Sequence, residues 1–248
     1  MISYNRNRTK CFVLAIAASI GFATTANAFV LSLDFGTAGS PVETGFDKFA
    51  LADGTTQTFG AITVSVATYG DGQQGSAGAP EFFADRDRGN PPDNGSFTHG
   101  DLMRDWIFVD ETERPPTLGE GIDITISGLT NNTSYDFVLW AEDGTNEDSF
   151  TDIIADWSAN DTLVLDNIQI RGPYPTDNLA GNPFRHTFSA TSDGSGEILL
   201  RGVDAPGSIG RSTHLISGLR IIPEPTTLVL TFLGFVGLMS TTGRRHYR

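Results

Sequence analysis

Within the body of the chain, residues 29–222, the side chains that could do chemistry are three histidines, a surplus of carboxylates and three tryptophans. His99, His186 and His214 are too far apart in sequence to form His-x-x-x-His or His-Glu-x-x-His, so no motif seats two of them on one metal. Ser195 sits in Asp193-Gly194-Ser195-Gly196, which reads as a turn between strands rather than a Gly-x-Ser-x-Gly elbow, and no glycine-rich phosphate loop precedes a helix. Asp85, Asp87, Asp105, Glu142, Asp143, Glu147 and Asp148 could supply the acid and base of a hydrolase, but catalysis depends on a separation that spacing along the chain does not define. A structural calcium suits these oxygens better, with Asp85 and Asp87 on residues 85–93 and Glu142, Asp143 and Asp148 on residues 142–152. Neither segment follows the twelve-residue EF-hand pattern, and both also read as solvated acidic loops. No motif requires a cofactor.

The tryptophans point to sugar, whose rings stack on flat aromatic faces flanked by polar groups. Trp140 shares one face of a strand with Asp136, opposite Tyr135, Phe137 and Leu139, so it points outward or beneath a loop if those three fill the core. Trp106, in Arg104-Asp105-Trp106-Ile107-Phe108-Val109, and Trp157, in Ala155-Asp156-Trp157-Ser158, are further ligand-binding candidates. Each of the three tryptophans also reads as a cap on the core, the more usual place for a large aromatic.

Charge excludes one class of partner. The whole chain carries a formal charge of -14, and residues 29–222 hold 10 Lys and Arg against 29 Asp and Glu, or -19. Nucleic acid needs clustered cations and is not a partner for such a body. The lone cysteine, Cys11, lies near the N-terminus, so packing rather than disulfides must stabilise the body.

The elements that would position these side chains are strands. Alternation of apolar and polar residues with period two runs through residues 30–35, 62–69 and 121–129. After 121–129, Thr130-Asn131-Asn132-Thr133 reads as the turn of a hairpin into residues 135–140. Further strands fall at 162–170, 184–190, 197–203 and 215–222, while residues 99–105 suit one helical turn at most. The longest strand-free stretch is 70–98, a length that usually marks a functional or disordered loop. No repeat is found. Eight or more short strands separated by Gly, Asn, Asp and Pro predict an all-β fold, a single β-sandwich of the jelly-roll kind.

Both ends differ from this body. Residues 1–28 have the form of a secretory signal peptide: Arg6, Arg8 and Lys10, an apolar stretch over 11–22, and Ala26-Asn27-Ala28 as the small-residue cleavage site. Residues 223–248 read Pro223-Glu224-Pro225, an uncharged run over 226–243, then Arg244, Arg245, His246, Tyr247 and Arg248. As a helix the run would span about 27 Å, enough for a bilayer core. Basic ends around an acidic body keep both termini cytoplasmic and place the body outside. The domain organisation is therefore signal 1–28, sandwich 29–222 and tail 223–248.

This combination of leader, exported body, Pro-Glu-Pro, apolar helix and Arg244-Arg245 resembles the PEP-CTERM proteins, substrates of exosortase in Gram-negative bacteria that make exopolysaccharide. The resemblance implies that the secretion machinery exports the chain and that the tail halts transiently in the inner membrane. An exosortase-like protease then cuts near Pro223-Glu224-Pro225, and the body reaches the cell surface or extracellular matrix. A permanent single-pass anchor is the other reading of the tail. Within the body, Leu33-Asp34-Phe35-Gly36, Ser40-Pro41-Val42, Gly45-Phe46, residues 104–108, Ile126-Ser127-Gly128-Leu129 and Tyr135-Asp136 are similar to galactose-binding-like jelly rolls. The expectation is a non-enzymatic, exported sandwich that contacts extracellular polysaccharide in a biofilm matrix. Two alternatives stand beside it: a secreted carbohydrate-active hydrolase or lyase using Asp and Glu, and a purely structural adhesion protein.

Overall fold

The computed structural model describes residues 30–69, 83–87, 96–110, 121–142, 154–170, 176–179, 182–207 and 213–224. These form fourteen strands: β1 (Leu31–Gly36), β2 (Asp47–Ala50), β3 (Thr56–Phe59), β4 (Ile62–Tyr69), β5 (Phe83–Asp87), β6 (Asp105–Asp110), β7 (Gly121–Ser127), β8 (Ser134–Trp140), β9 (Ile154–Ala159), β10 (Thr162–Gln169), β11 (Arg185–Thr191), β12 (Ile198–Asp204), β13 (Thr213–Ile216) and β14 (Gly218–Pro223). The expected all-β class is what is found, with open sheets that do not close. The proposed leader with Ala26 and Ala28, and the tail from Pro225 through Arg244 and Arg245, lie outside the described residues. Among the described residues no helix is long and apolar enough to cross a membrane.

Two of the sheets face each other. One is five-stranded, in the order β11-β8-β14-β1-β2, and the other six-stranded, in the order β10-β9-β12-β7-β4-β3. Leu31, Leu33, Phe35, Phe137, Leu139 and Ile221 of the first meet Val64, Val66, Ile122, Ile124, Trp157 and Leu200 of the second in one buried cluster. This is the outcome expected when strands with period-two apolar faces must hide those faces. A three-stranded sheet, β13-β6-β5, packs its β6 against β1 and β7.

Four expectations are corrected. Residues 128–133 do not close a hairpin: β7 pairs with β12 and β4, whereas β8 pairs with β11 and β14, so this segment carries the chain from one sheet to the other. Its backbone groups bond to the 192–196 turn instead, with Leu129 N donating to Gly196 O at 3.0 Å and Asn132 N to Asp193 O at 3.1 Å. The apolar faces of β7 and β8 then meet across the core rather than lie side by side. The stretch 70–98 is not strand-free, because Phe83–Asp87 pairs with β6. Residues 215–222 are not one strand: β13 joins β6, while Ser217 turns the chain into the five-stranded sheet, its N–H donating to Trp140 O at 2.9 Å. Finally, the body does not end at Ile222. Pro223 pairs with Tyr135, and Glu224 N donates to Ser134 O at 3.2 Å.

Sequence patterning also missed β2, β3, β6 and β9. In β9 the apolar inner positions are Ala155, Trp157 and Ala159, and two alanines give little hydropathy signal. The expected helical turn at 99–105 is present as a bond from Met103 N to His99 O at 3.1 Å.

Candidate functional site

The outer face of the five-stranded sheet, away from the core, is built by register. On β8 the side chains of Asp136, Val138 and Trp140 share that face. Arg185 of β11 pairs directly with Trp140, and Arg220 of β14 pairs with Val138 on one side and with Ser32 of β1 on the other. Antiparallel partners point the same way, so two arginines and a tryptophan from three strands gather on one patch.

A loop and a turn close over this patch. The 37–46 loop is pinned by two buried carboxylates: Asp34 Oδ2 accepts from Glu43 N at 2.7 Å, while Asp105 Oδ2 accepts from Thr37 N at 3.0 Å and from the Ser40 hydroxyl. The Lys48 ammonium donates to the carbonyls of Thr37 and Ala38, each at 3.1 Å, and to that of Ser40. Burial, with the Asp105 carboxyl nearby, pushes Asp34 up to about 7 against the bond from Glu43 N. Burial likewise pushes Asp105 up to about 6, against its bonds from Ser40 and Thr37. These pins deliver Phe46, and the 99–103 turn delivers His99, onto Trp140. His99 stacks on the indole with ring centres 5.8 Å apart and planes 20° apart, and Phe46 meets it edge-on at 5.6 Å.

Around these rings stand the two cations. Arg185 Cζ lies 5.9 Å and Arg220 Cζ 5.8 Å from the centre of the Trp140 ring, and Arg220 is also 4.8 Å over Phe46. Arg220 Nε donates to Ser32 Oγ at 2.9 Å. Phe97, Leu102, Met103, Val138 and Phe184 complete a second apolar cluster beneath the loop. Phe46, His99, Arg185 and Arg220 remain half-buried and form the part of the patch that meets solvent.

Each residue singled out from sequence now has a place. Trp140 lies on the outer face with Asp136, beneath a loop and only 2% exposed, so it is a floor rather than an open platform. Asp136 is exposed and accepts from Ser189 Oγ at 2.8 Å. Trp106 and Trp157 are each 1% exposed in the main core and cannot present a face to a sugar. Trp157 packs over Gly202, where a Cβ would fall 2.8 Å from the indole. The proposal of Trp106 and Trp157 as ligand contacts is therefore corrected: both sit at inner positions of their strands.

Among the metal candidates, Asp87 forms a two-pronged pair with Arg104, at 2.7 and 3.1 Å, which occupies the oxygens a calcium would use. Asp85 is exposed, Glu142 is buried, and Asp143 and Asp148 lie outside the described residues. Among the described residues no three of His, Cys, Asp and Glu gather as a metal site. His214 Nε2 lies 3.3 Å from Asp204 Oδ1, and burial lowers its pKa to about 3, so the imidazole is neutral near pH 7. Ser195 is in a turn, with its N–H donating to Asp193 Oδ1 at 2.8 Å.

The half-buried contacts missed in the sequence are Arg185, Arg220 and Phe46, together with His99 as an aromatic rather than a ligand. Alternation places Arg185 and Arg220 on polar faces of their strands, but which strands are neighbours is not written locally.

No family model and no curated protein matches the chain. Among solved structures it is similar to the ANXUR1 extracellular domain from Arabidopsis thaliana, with 12% identity and a TM-score of 0.47 over 79% of this chain and 48% of that one. The ANX2 ectodomain from the same plant gives 12% identity and a TM-score of 0.47 over 80% of this chain and 50% of that one. A family 35 carbohydrate binding module from Clostridium thermocellum gives 13% identity and a TM-score of 0.24 over 46% of this chain and 86% of that one. The chain thus spans about half the length of the two plant ectodomains.

Proposed function

We propose that this is an exported, non-enzymatic protein whose jelly-roll-type sandwich binds carbohydrate on the outer face of its five-stranded sheet. The observation that carries the reading is the half-buried group of Phe46, His99, Arg185 and Arg220 around Trp140. Flat rings beside fork-shaped donors match a sugar, whose C–H faces stack while its oxygens accept hydrogen bonds. Loops pinned by Asp34, Asp105 and Lys48 hold the rings in place before a ligand arrives, which lowers the entropy cost of binding.

Delivery belongs to the same proposal. The leader directs export with cleavage after Ala28, and the tail holds the chain in the inner membrane until a protease of the exosortase kind releases the body to the surface or matrix. The pairing of Pro223 with Tyr135, and the bond of 2.8 Å that Glu224 accepts from Ser134 Oγ, support a cut near Pro223-Glu224-Pro225 on the C-terminal side of Glu224. Mass spectrometry of the surface form checks this: a species ending at or beyond Glu224 and lacking residues 226–248 is expected, and one retaining the full tail would refute sorting.

The binding role is tested by applying the full chain to an array of bacterial and plant polysaccharides. Binding that weakens about tenfold or more in Phe46→Ala and His99→Ala, at unchanged melting temperature, supports this face. Depolymerisation of any bound glycan would instead point to the hydrolase or lyase alternative.

A further inference from the structure

Nine of the ten basic residues in this acidic body are arginines, and Arg104 and Arg201 are each neutralised. Arg104 is held by Asp87 through two bonds, and Arg201 by Asp123 through bonds of 2.8 and 3.0 Å. Arg185 and Arg220 break that pattern. Among the described residues Arg185 makes no side-chain hydrogen bond or ion pair, and Arg220 uses only Nε, toward Ser32. Both stand over the same indole, and burial together with the neighbouring Arg220 lowers the pKa of Arg185. Two cations half withdrawn from water without a carboxylate between them destabilise the fold unless an anion joins them.

The surroundings define that anion. The guanidinium forks offer planar, paired N–H donors, which fit a carboxylate or another oxyanion in two-pronged geometry. The adjacent Phe46 and His99 rings offer stacking surface, which a small inorganic ion would not use. The acidic body repels polyanions in general, so an anionic ligand is favoured where cations are grouped, as Arg185 and Arg220 are here.

We infer that the site takes an acidic saccharide, with the carboxylate of a uronic acid residue bridging Arg185 and Arg220 and its ring lying against Phe46 and His99. This rests on the carbohydrate reading above and names its ligand class. In the complex, the free Nη groups of Arg220 and the guanidinium of Arg185 both donate to the carboxylate.

The test uses a matched pair of probes that differ only at C6: β-1,4-linked oligoglucuronate and the neutral cello-oligosaccharide of equal length, titrated calorimetrically into the full chain. The acid is expected to bind at least tenfold tighter. Arg185→Gln and Arg220→Gln should each remove about tenfold of that affinity and weaken the neutral probe severalfold less, so that the preference for the acid narrows. Raising the salt concentration should weaken the acid alone. Arg185→Lys keeps the charge but not the fork, and is expected to recover only part of the loss. Melting temperatures identify any variant that fails to fold, and for such a variant the salt dependence of the unaltered chain stands as the measurement. Equal binding of both probes, or preference for a sulfated oligosaccharide over the uronate, would overturn the inference and leave the carbohydrate reading intact. Absence of binding to any saccharide on the array and to both probes would overturn both.

Discussion

The outer faces of the two facing sheets use the same ingredients in opposite ways. On the six-stranded sheet, Arg201 lies 3.6 Å over the Tyr69 ring and is clamped by Asp123, with Asp161 at 3.4 Å. The neighbouring positions form a hydroxyl ladder, in which Thr56 and Ser65 are 3.0 Å apart and Thr58 and Thr63 3.1 Å. Charge and hydrogen bonding are satisfied internally. On the five-stranded sheet the charges are segregated: Arg185 and Arg220 flank the indole, while Asp34 of β1, with Asp105 of the adjoining β6, is buried under the loop with hydroxyl and N–H donors. A face whose charges are paired can be complete without a ligand, whereas a face that separates them has bonding capacity left to offer.

The largest effect that sharpens this contrast is expected at Trp140. Although it lies on an outer face, Trp140→Ala should cost about 3–5 kcal/mol, comparable to Trp157→Ala in the main core, because both indoles are fully enclosed. Chemical denaturation of the two variants measures it. A loss below about 1 kcal/mol at Trp140 would mean that the second apolar cluster is not packed.

A smaller effect separates the carboxylates. Asp34 keeps its proton up to about 7 in the folded chain, against 3.8 when unfolded, so folding takes up a proton between these values. Its contribution to stability is full below about pH 4 and is lost as pH rises toward 7. Asp105 has the same sign over a narrower window, whereas His186 and His214, lowered to about 4 and about 3 from 6.5, add stability as pH rises toward 6.5. The melting temperature of the native chain minus that of Asp34→Asn should therefore fall steadily from pH 4 to pH 7. A flat difference would remove Asp34 from the account.

The smallest effects test the arginines directly. Arg201→Met should cost roughly 1–2 kcal/mol, since it leaves Asp123 unpaired, and a double-mutant cycle with Asp123→Asn should recover most of it. Arg185→Met should raise stability slightly, by less than about 0.5 kcal/mol, because no internal bond is lost and one of two uncompensated cations is removed. Equal costs at the two positions, read from denaturation midpoints, would erase the distinction between the faces.

Much of the body was legible before its tertiary structure. Ile122, Ile124 and Ile126, and Tyr135, Phe137 and Leu139, alternate strictly, and both sets are buried. The same alternation placed Trp140 with Asp136 on the opposite face. It misled at β1, where Ser32 and Asp34 read as solvent-facing and are in fact covered by the loop that Asp34 itself pins. It could not place Trp106 and Trp157, which read both as ligand contacts and as caps on the core, because an aromatic residue looks the same in sequence whether its face is turned to water or to the partner sheet.

What the sequence determined by itself is local: which residues alternate, which turns Gly and Asn permit, how acidic the body is, and the distinct character of residues 1–28 and 223–248. Tertiary structure alone decided which strands became neighbours. Arg185 and Arg220 are 35 positions apart and meet only because β11 and β14 flank β8, while β7 and β8, a hairpin closed by residues 130–133 in the local reading, enter different sheets. Side-chain period depends on the backbone of one strand, but strand partnership depends on burying every apolar face at once, a condition that no short segment carries.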